Sequence, residues 1–234
     1  MLHVFLGFDK RQPVAYHVAR ASIERHASVP VAITPLRIEV MPCKRTGLTE
    51  FTWSRFCVPH LMGFQGRALF LDSDFLFLGD VAEVFAAATG DKAVWVSKNE
   101  KRFEWASLIV FDCAHPANAV LTPEYIETAR ALHGMQWLAD DLVGELPGRM
   151  NHLCGYDEPI TDAVAAHYTQ GLPIYEETKG SPYAAEWQAE HKRMNYSVSW
   201  MDLMGRSVHA APHKDGSRLV ARLHPDAQQV DSRP

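Results

Sequence analysis

The sequence predicts an α/β fold, with a mostly parallel central sheet flanked by helices. Three observations predict it. Compact apolar runs of strand length recur at Leu2–Gly7, Val31–Leu36, Arg67–Leu71, 93–97 and 107–111. Segments of helical length separate several of them, which is the pattern of strands joined by crossovers. The 234 residues are 47% hydrophobic, enough for one sizeable core.

Each element has a local cause. Leu2–Gly7 is a short apolar run that stops at Asp9. Pro13 opens a helix through His26, because proline suits the first helical turn. Val31–Leu36 reads as a second strand. Thr52 is placed to cap a helix running to His60, with Pro59 near its end. Arg67–Leu71 is a third strand, running into Asp72-Ser73-Asp74. Residues 75–78 are apolar again, Gly79-Asp80 makes a turn, and 81–88 is a short helix. Strands follow at 93–97 and 107–111, and Pro123 starts a helix ending near His133-Gly134. After Ala189 the pattern fades. One short helix is expected at 194–204, and a loose, mildly basic tail follows. The expected division is a domain over residues 1–190 and a loosely ordered C-terminal extension over 191–234.

Composition excludes several functions. A net charge of −5 argues against nucleic acid as a partner, since phosphate backbones select basic surfaces. No segment approaches the ~20 apolar residues of a membrane-spanning helix, and the first residues lack the basic start of a signal peptide. Cys43, Cys57, Cys113 and Cys154 form no CxxC pair, so neither a zinc site nor a disulfide framework is expected. Reduced, buried thiols in a cytoplasmic protein are. There is no G-x-S-x-G, no H-E-x-x-H and no glycine-rich phosphate loop. Trp95, Trp105 and Trp137 read as packing aromatics, and His115, before Pro116, as a structural histidine.

The chemistry concentrates where strands end in acid. In open α/β sheets, ligands bind at the carboxyl ends of strands. Asp9 follows the first strand, and Asp72 and Asp74 follow the third. If the chain stays extended, Asp72 and Asp74 face one spot and Ser73 faces away. Two such carboxylates repel unless a cation or protons intervene, and magnesium or manganese is the natural partner for oxygen ligands. About one D-x-D arises by chance in a chain this size. This one lies between two apolar runs, where an unpaired charge is costly. A metal bridging it to a diphosphate replaces the missing glycine cradle and stabilises a departing nucleoside diphosphate.

Residues 49–56 (TEFTWSRF), followed by 66–74 (GRALFLDSD), resemble the GT-A glycosyltransferases, a Rossmann-like nucleotide-diphospho-sugar transferase fold. The chain is similar to family 8, the glycogenin and lipopolysaccharide galactosyltransferase group, and more particularly to a bacterial branch of small glycosyltransferases. Further blocks at 105–118, 136–147 and 167–173 occur in the family's order, so the resemblance covers roughly residues 2–190. It implies that Asp72 and Asp74 are the metal-binding D-x-D and that His167 is a third ligand, a set that suits manganese or magnesium. It implies that Arg55 reaches the donor. It places Phe8, Asp9 and Ser73 with the nucleotide-binding residues, and Asp140 and Asp141 facing the transferred sugar. In this chain Trp53 stands for the family's tyrosine, Trp105-Ala106-Ser107 for its N-S-G, and Phe8 for the acid before Asp9. The lysine of its H-x-x-G-x-x-K-P-W motif is not evident after Gly171.

The implied activity is metal-dependent transfer of a sugar, with retention, from a UDP-sugar donor to a hydroxyl acceptor. That acceptor would be a glycan, a lipid-linked molecule or a small molecule, with peripheral membrane contact through the basic tail as a minor expectation. Two alternatives stay open on the residues alone: a sugar-phosphate nucleotidyltransferase, and a non-catalytic nucleotide-sugar-binding protein.

Overall fold

A computed structural model describes residues 1–100, 102–198 and 203. The chain divides into two units, Met1–Met194 and Asn195–Pro234. The second falls largely outside the described residues, as do 199–202 and 204 of the helix expected at 194–204 and the whole tail beyond it; Met194 instead ends a preceding helix, and 196–198 are not helical.

The first unit is built on a six-stranded sheet in the order β2-β1-β3-β6-β5-β7. The strands are β1 (Leu2–Gly7), β2 (Val31–Leu36), β3 (Arg67–Leu71), β5 (Val94–Val96), β6 (Leu108–Asp112) and β7 (Val143–Glu145). Five of them run the same way. Only β6 is reversed, pairing antiparallel with both β3 and β5. A smaller sheet, β4-β9-β8, is made of β4 (Phe75–Phe77), β8 (His152–Leu153) and β9 (Ala165–His167).

The central sheet is buried on both faces, so its strands read as near-continuous apolar runs. Alternation still sorts them. Phe5, Ala68, Phe70, Val94, Ile109 and Phe111 share one core with Val58 and Ile126, from the helices α2 (Val58–Leu61) and α4 (Pro123–Thr128). Val4, Leu6, Leu69, Leu71, Trp95 and Val110 point the other way. There they meet Tyr16, Ala19 and Ile23 of α1 (Pro13–His26), and Val81 and Val84 of α3 (Val81–Ala87). The result is a three-layer sandwich with one core on each face of the sheet. A third cluster joins α1 to the small sheet and to α5 (Ala184–Met194) through Leu76, Ala166, Tyr168 and the fully buried Trp187.

Several expectations hold to the residue, including β1, α1, β2 and β3. Asp80 caps α3 by accepting from the Ala82 amide. His115 caps the 3-10 turn Pro116–Val120, its Nδ1 accepting from Ala117, and so is structural as expected. Trp95 is buried, and all four cysteines are free and buried. Two local expectations change. Thr52 caps nothing downstream; its hydroxyl accepts from the Thr49 amide, and the segment Ser54–Cys57 starts as a 3-10 turn before α2. The helix from Pro123 stops at Thr128, because Ala129 is already extended.

Candidate functional site

The carboxyl end of β3 stops at Leu71, and the Asp72 amide then donates to the Ser107 carbonyl at 2.9 Å. The chain turns at Ser73-Asp74 rather than staying extended. Ser73 therefore does not face away; it lines the same cleft as Asp72 and Asp74. β4 begins immediately afterwards, and its register with β9 sets Phe75 opposite His167. That pairing carries a residue from far along the chain to the side of Asp74. The Tyr168 amide closes it by donating to the Asp74 carbonyl at 2.9 Å.

One ligand atom each from Asp72, Asp74 and His167 lies within 4.8 Å of the others. His167 Nε2 is 3.4 Å from Asp74 Oδ1. On the far side of the ring, His167 Nδ1 lies 3.0 Å from Asn151 Oδ1. Asn151 Nδ2 donates to Ser107 Oγ, which donates to the Glu104 carbonyl. With Nδ1–H committed to Asn151, the Nε2 lone pair faces the two aspartates, the tautomer a metal-ligating histidine needs. The ring also stacks on Phe75, with centroids 4.3 Å apart. Glu104 adds a carboxylate 3.9 Å from Nδ1 and accepts from the Thr169 hydroxyl.

Arg55 is the nearby cation. Its guanidinium is buried, donating to the Thr52 carbonyl at 3.0 Å and the Ala106 carbonyl at 2.7 Å. Nη1 sits 2.9 Å from Asp72 Oδ1, but off the line of a hydrogen bond. Asp72 Oδ1 and Asp74 Oδ1 are both buried without a hydrogen-bond partner among the described residues. Burial holds the Asp72 carboxyl well above the usual carboxylate range; Arg55 opposes this and Asp74 adds to it. For His167, burial opposes the charge, but Asp74, Asp72 and Glu104 outweigh it and raise the imidazole. The cluster is thus short of positive charge. Two orphaned carboxylate oxygens and an imidazole nitrogen converge there, a donor set that fits a divalent cation taking oxygen and nitrogen ligands.

Beside this cluster opens a cleft of about 290 Å³ that runs from the end of β1 to the end of β3. Asp9, Arg11, Gln12, Thr49, Phe51 and Tyr175 line it with residues 72–74. Gly7 lets the Phe51 ring close onto the end of β1: a Cβ there would meet that ring at 2.7 Å. Gln12 and the Tyr175 hydroxyl hydrogen-bond across it. Asp9 is buried, and the Arg11 hydrogen bond lowers its carboxyl from the usual 3.8 to about 2 against the effect of burial. A carboxylate whose folded value is depressed contributes stability that is complete above its unfolded value and is lost as pH falls through the folded one. Acid unfolding followed by circular dichroism should therefore show, between about pH 4 and pH 2, a loss of stability in the wild type that is reduced in Arg11→Ala.

Not every expected residue comes here. The Phe8 ring meets Tyr16 edge-on at 5.4 Å and lies under the Arg37 guanidinium, and it is not among the residues lining the cleft. Asp140 and Asp141 are exposed in the 3-10 turn Asp140–Leu142 that leads into β7. β7 runs parallel to β5, and β5 and β3 both run antiparallel to β6. The turn therefore lies at the amino edge of the sheet, with Lys92 Nζ on the Asp141 carbonyl, while Asp72 lies at the carboxyl edge. The expectation that this pair faces the transferred sugar is corrected on that ground. The reading missed Glu104, Asn151, Arg11 and Tyr175. Of these, only Arg11 carried a usable signal, two residues past a strand-ending acid.

A three-layer sandwich with a D-x-D turn at the carboxyl edge has the architecture of GT-A-type glycosyltransferases, and solved structures of that class superpose on the chain. They include WbbM, a bifunctional glycosyltransferase (TM-score 0.60, 14% identity, 81% of this chain and 51% of that one). GlyE of Streptococcus pneumoniae TIGR4 superposes with TM-score 0.62 and 16% identity over 87% of this chain and 63% of that one. The galactosyltransferase LgtC, solved with donor and acceptor sugar analogues, gives 0.58 and 10% over 86% and 99%. The chain thus spans about half of WbbM and under two thirds of GlyE. By sequence, it belongs to the family of Protein CDI of Arabidopsis thaliana, to which it is 33% identical over 224 residues, 82% of this chain and 86% of that protein. No family model matches the chain. Among the described residues, no helix is long and apolar enough to cross a membrane.

Proposed function

We propose that the protein transfers a sugar from a nucleoside diphosphate sugar, a UDP-sugar in the first instance, to a hydroxyl acceptor, with retention at the sugar. The observation that carries this is the pair of orphaned oxygens on Asp72 and Asp74 facing His167, at the edge of a cleft of about 290 Å³. Asp72, Asp74 and His167 would hold manganese or magnesium. Such an ion supplies Lewis-acid charge to a departing diphosphate.

The chain's own residues do the rest. Asn151 fixes the His167 tautomer, and Phe75 fixes its ring plane. Arg55 opposes the burial that raises the Asp72 carboxyl and so favours its ionised form. Phe51 and Tyr175 wall the cleft. No carboxylate pair is assigned as nucleophile, because Asp140 and Asp141 lie at the other edge of the sheet. The buried thiols of Cys57, Cys113 and Cys154, pushed up to about 12 by burial, stay protonated. They suit a reducing, cytoplasmic setting.

The test is a panel of nucleotide-sugars incubated with the protein and manganese, scored by release of nucleoside diphosphate. Donor-selective, metal-dependent release is expected. Binding without release under every acceptor tried would make the protein a nucleotide-sugar-binding module instead. Activity only with a sugar phosphate and a nucleoside triphosphate would make it a nucleotidyltransferase.

A further inference from the structure

At the end of β1, the acid in the cleft is already spoken for. Asp9 Oδ1 accepts from the Arg11 amide and from Arg11 Nε, each at 2.9 Å. Its Oδ2 accepts from Arg11 Nη2 at 2.5 Å and from the Glu50 amide at 3.3 Å. A carboxylate offers about four acceptor positions, so Asp9 has none left for a ligand. It is also covered: its side chain is 7% exposed, against 63% for Arg11.

Arg11 is held as firmly as it is presented. Nε and Nη2 grip the two oxygens of Asp9, and Nη2 also donates to the Leu48 carbonyl at 2.7 Å. That fixes the plane of the guanidinium. Nη1, with two N–H groups, has no hydrogen-bond partner among the described residues. Arg11 is also the only cation among the residues that line the cleft. The cleft is continuous with Asp72 and Asp74, and β1 pairs directly with β3. A nucleotide whose diphosphate lay at Asp72–Asp74 would find room for its nucleoside end along the β1 edge, in the part of the cleft lined by Phe51 and the half-exposed Tyr175.

We propose that Arg11, locked in place by Asp9, reads the donor's nucleobase by donating from Nη1 to an exocyclic carbonyl oxygen, while Asp9 is a positioning residue that touches no ligand. This rests on the glycosyltransferase reading and deepens it. Uracil and guanine carry such an oxygen. Adenine presents an amino donor at the corresponding edge, and two donors facing each other leave both unpaired. The base preference is therefore for carbonyl-bearing nucleotides over adenine nucleotides.

The experiment is calorimetric titration of the full chain, with manganese, by UDP, GDP and ADP. The proteins compared are wild type, Arg11→Ala, Arg11→Lys, Asp9→Asn and the double variant Asp9→Asn/Arg11→Ala. Arg11 is mostly exposed, so its truncation leaves the core intact. Arg11→Ala is expected to lose about 10-fold or more in affinity for the preferred nucleotide and to lose the preference over ADP. Arg11→Lys keeps the charge but not the fork, and loses the base preference. Asp9→Asn also loses it, yet adds no further loss in the Arg11→Ala background, because the two act as one unit. Unchanged base preference in Arg11→Ala and Arg11→Lys overturns the proposal, as does a loss for Asp9→Asn that is equal in both backgrounds. If folded wild type binds none of the three diphosphates, the glycosyltransferase reading itself falls, an outcome distinct from binding that ignores Arg11.

Discussion

Manganese is expected to stabilise the wild type, and Asp74→Asn is expected to lose that stabilisation and to cut metal-dependent turnover by at least about 100-fold. The replacement keeps the shape of the side chain, and the Tyr168 amide still finds the residue-74 carbonyl. What changes is one of three convergent ligand atoms, and with it a full negative charge. In the metal-free protein the loss cuts two ways. His167 loses the partner 3.4 Å away, while Asp72 loses a like-charged neighbour. These oppose each other, so the melting temperature without metal should move by only a few degrees. A melting curve with and without manganese, paired with diphosphate release, reads both quantities. If the variant retained the wild-type manganese shift and turnover, the metal assignment would be wrong.

Arg55→Met should unfold the protein more readily by about 3–5 kcal/mol, the usual cost of leaving a buried charge without its partner. For a chain of this size that is a drop of roughly 10 °C in melting temperature. Three groups depend on the guanidinium. The carbonyls of Thr52 and Ala106 lose their donor, and Asp72 loses the guanidinium 2.9 Å from its Oδ1. The Arg55 guanidinium carbon also lies 4.9 Å from the Phe70 ring centre, a contact methionine only partly replaces. Because much of the cost is the unpaired acid, adding Asp72→Asn should recover part of it and leave the two carbonyls as the remainder. A melting temperature for Arg55→Met within about 2 °C of wild type, or no recovery in the double variant, would count against this account.

The long elements were legible because their causes are local. Proline at the start of α1 and the apolar runs of β1 to β3 need no distant partner to be read. β7, β8 and β9 are two or three residues long, too short to carry a period, and Ala165-Ala166-His167 has little strand character. Yet β9 delivers His167, which only the family resemblance pointed to. The Asp140–Asp141 expectation failed for a different reason. It came from the family resemblance alone, and the edge of the sheet that the pair occupies depends on the direction of β7, set by pairing with β5, itself set by the reversed β6. Glu104 and Asn151 were invisible because their meaning lies in what they touch across the fold.

The small sheet has a consequence for how the protein matures. Two ligand atoms come from the turn after β3 and the third from β9, a strand far along the chain. An intermediate with the central layer formed but that last strand undocked would possess no complete metal pocket. An ion would then bind the finished molecule and not its precursor, so supplying it late should trap completed molecules, and removing it should first loosen the seam between β4 and β9.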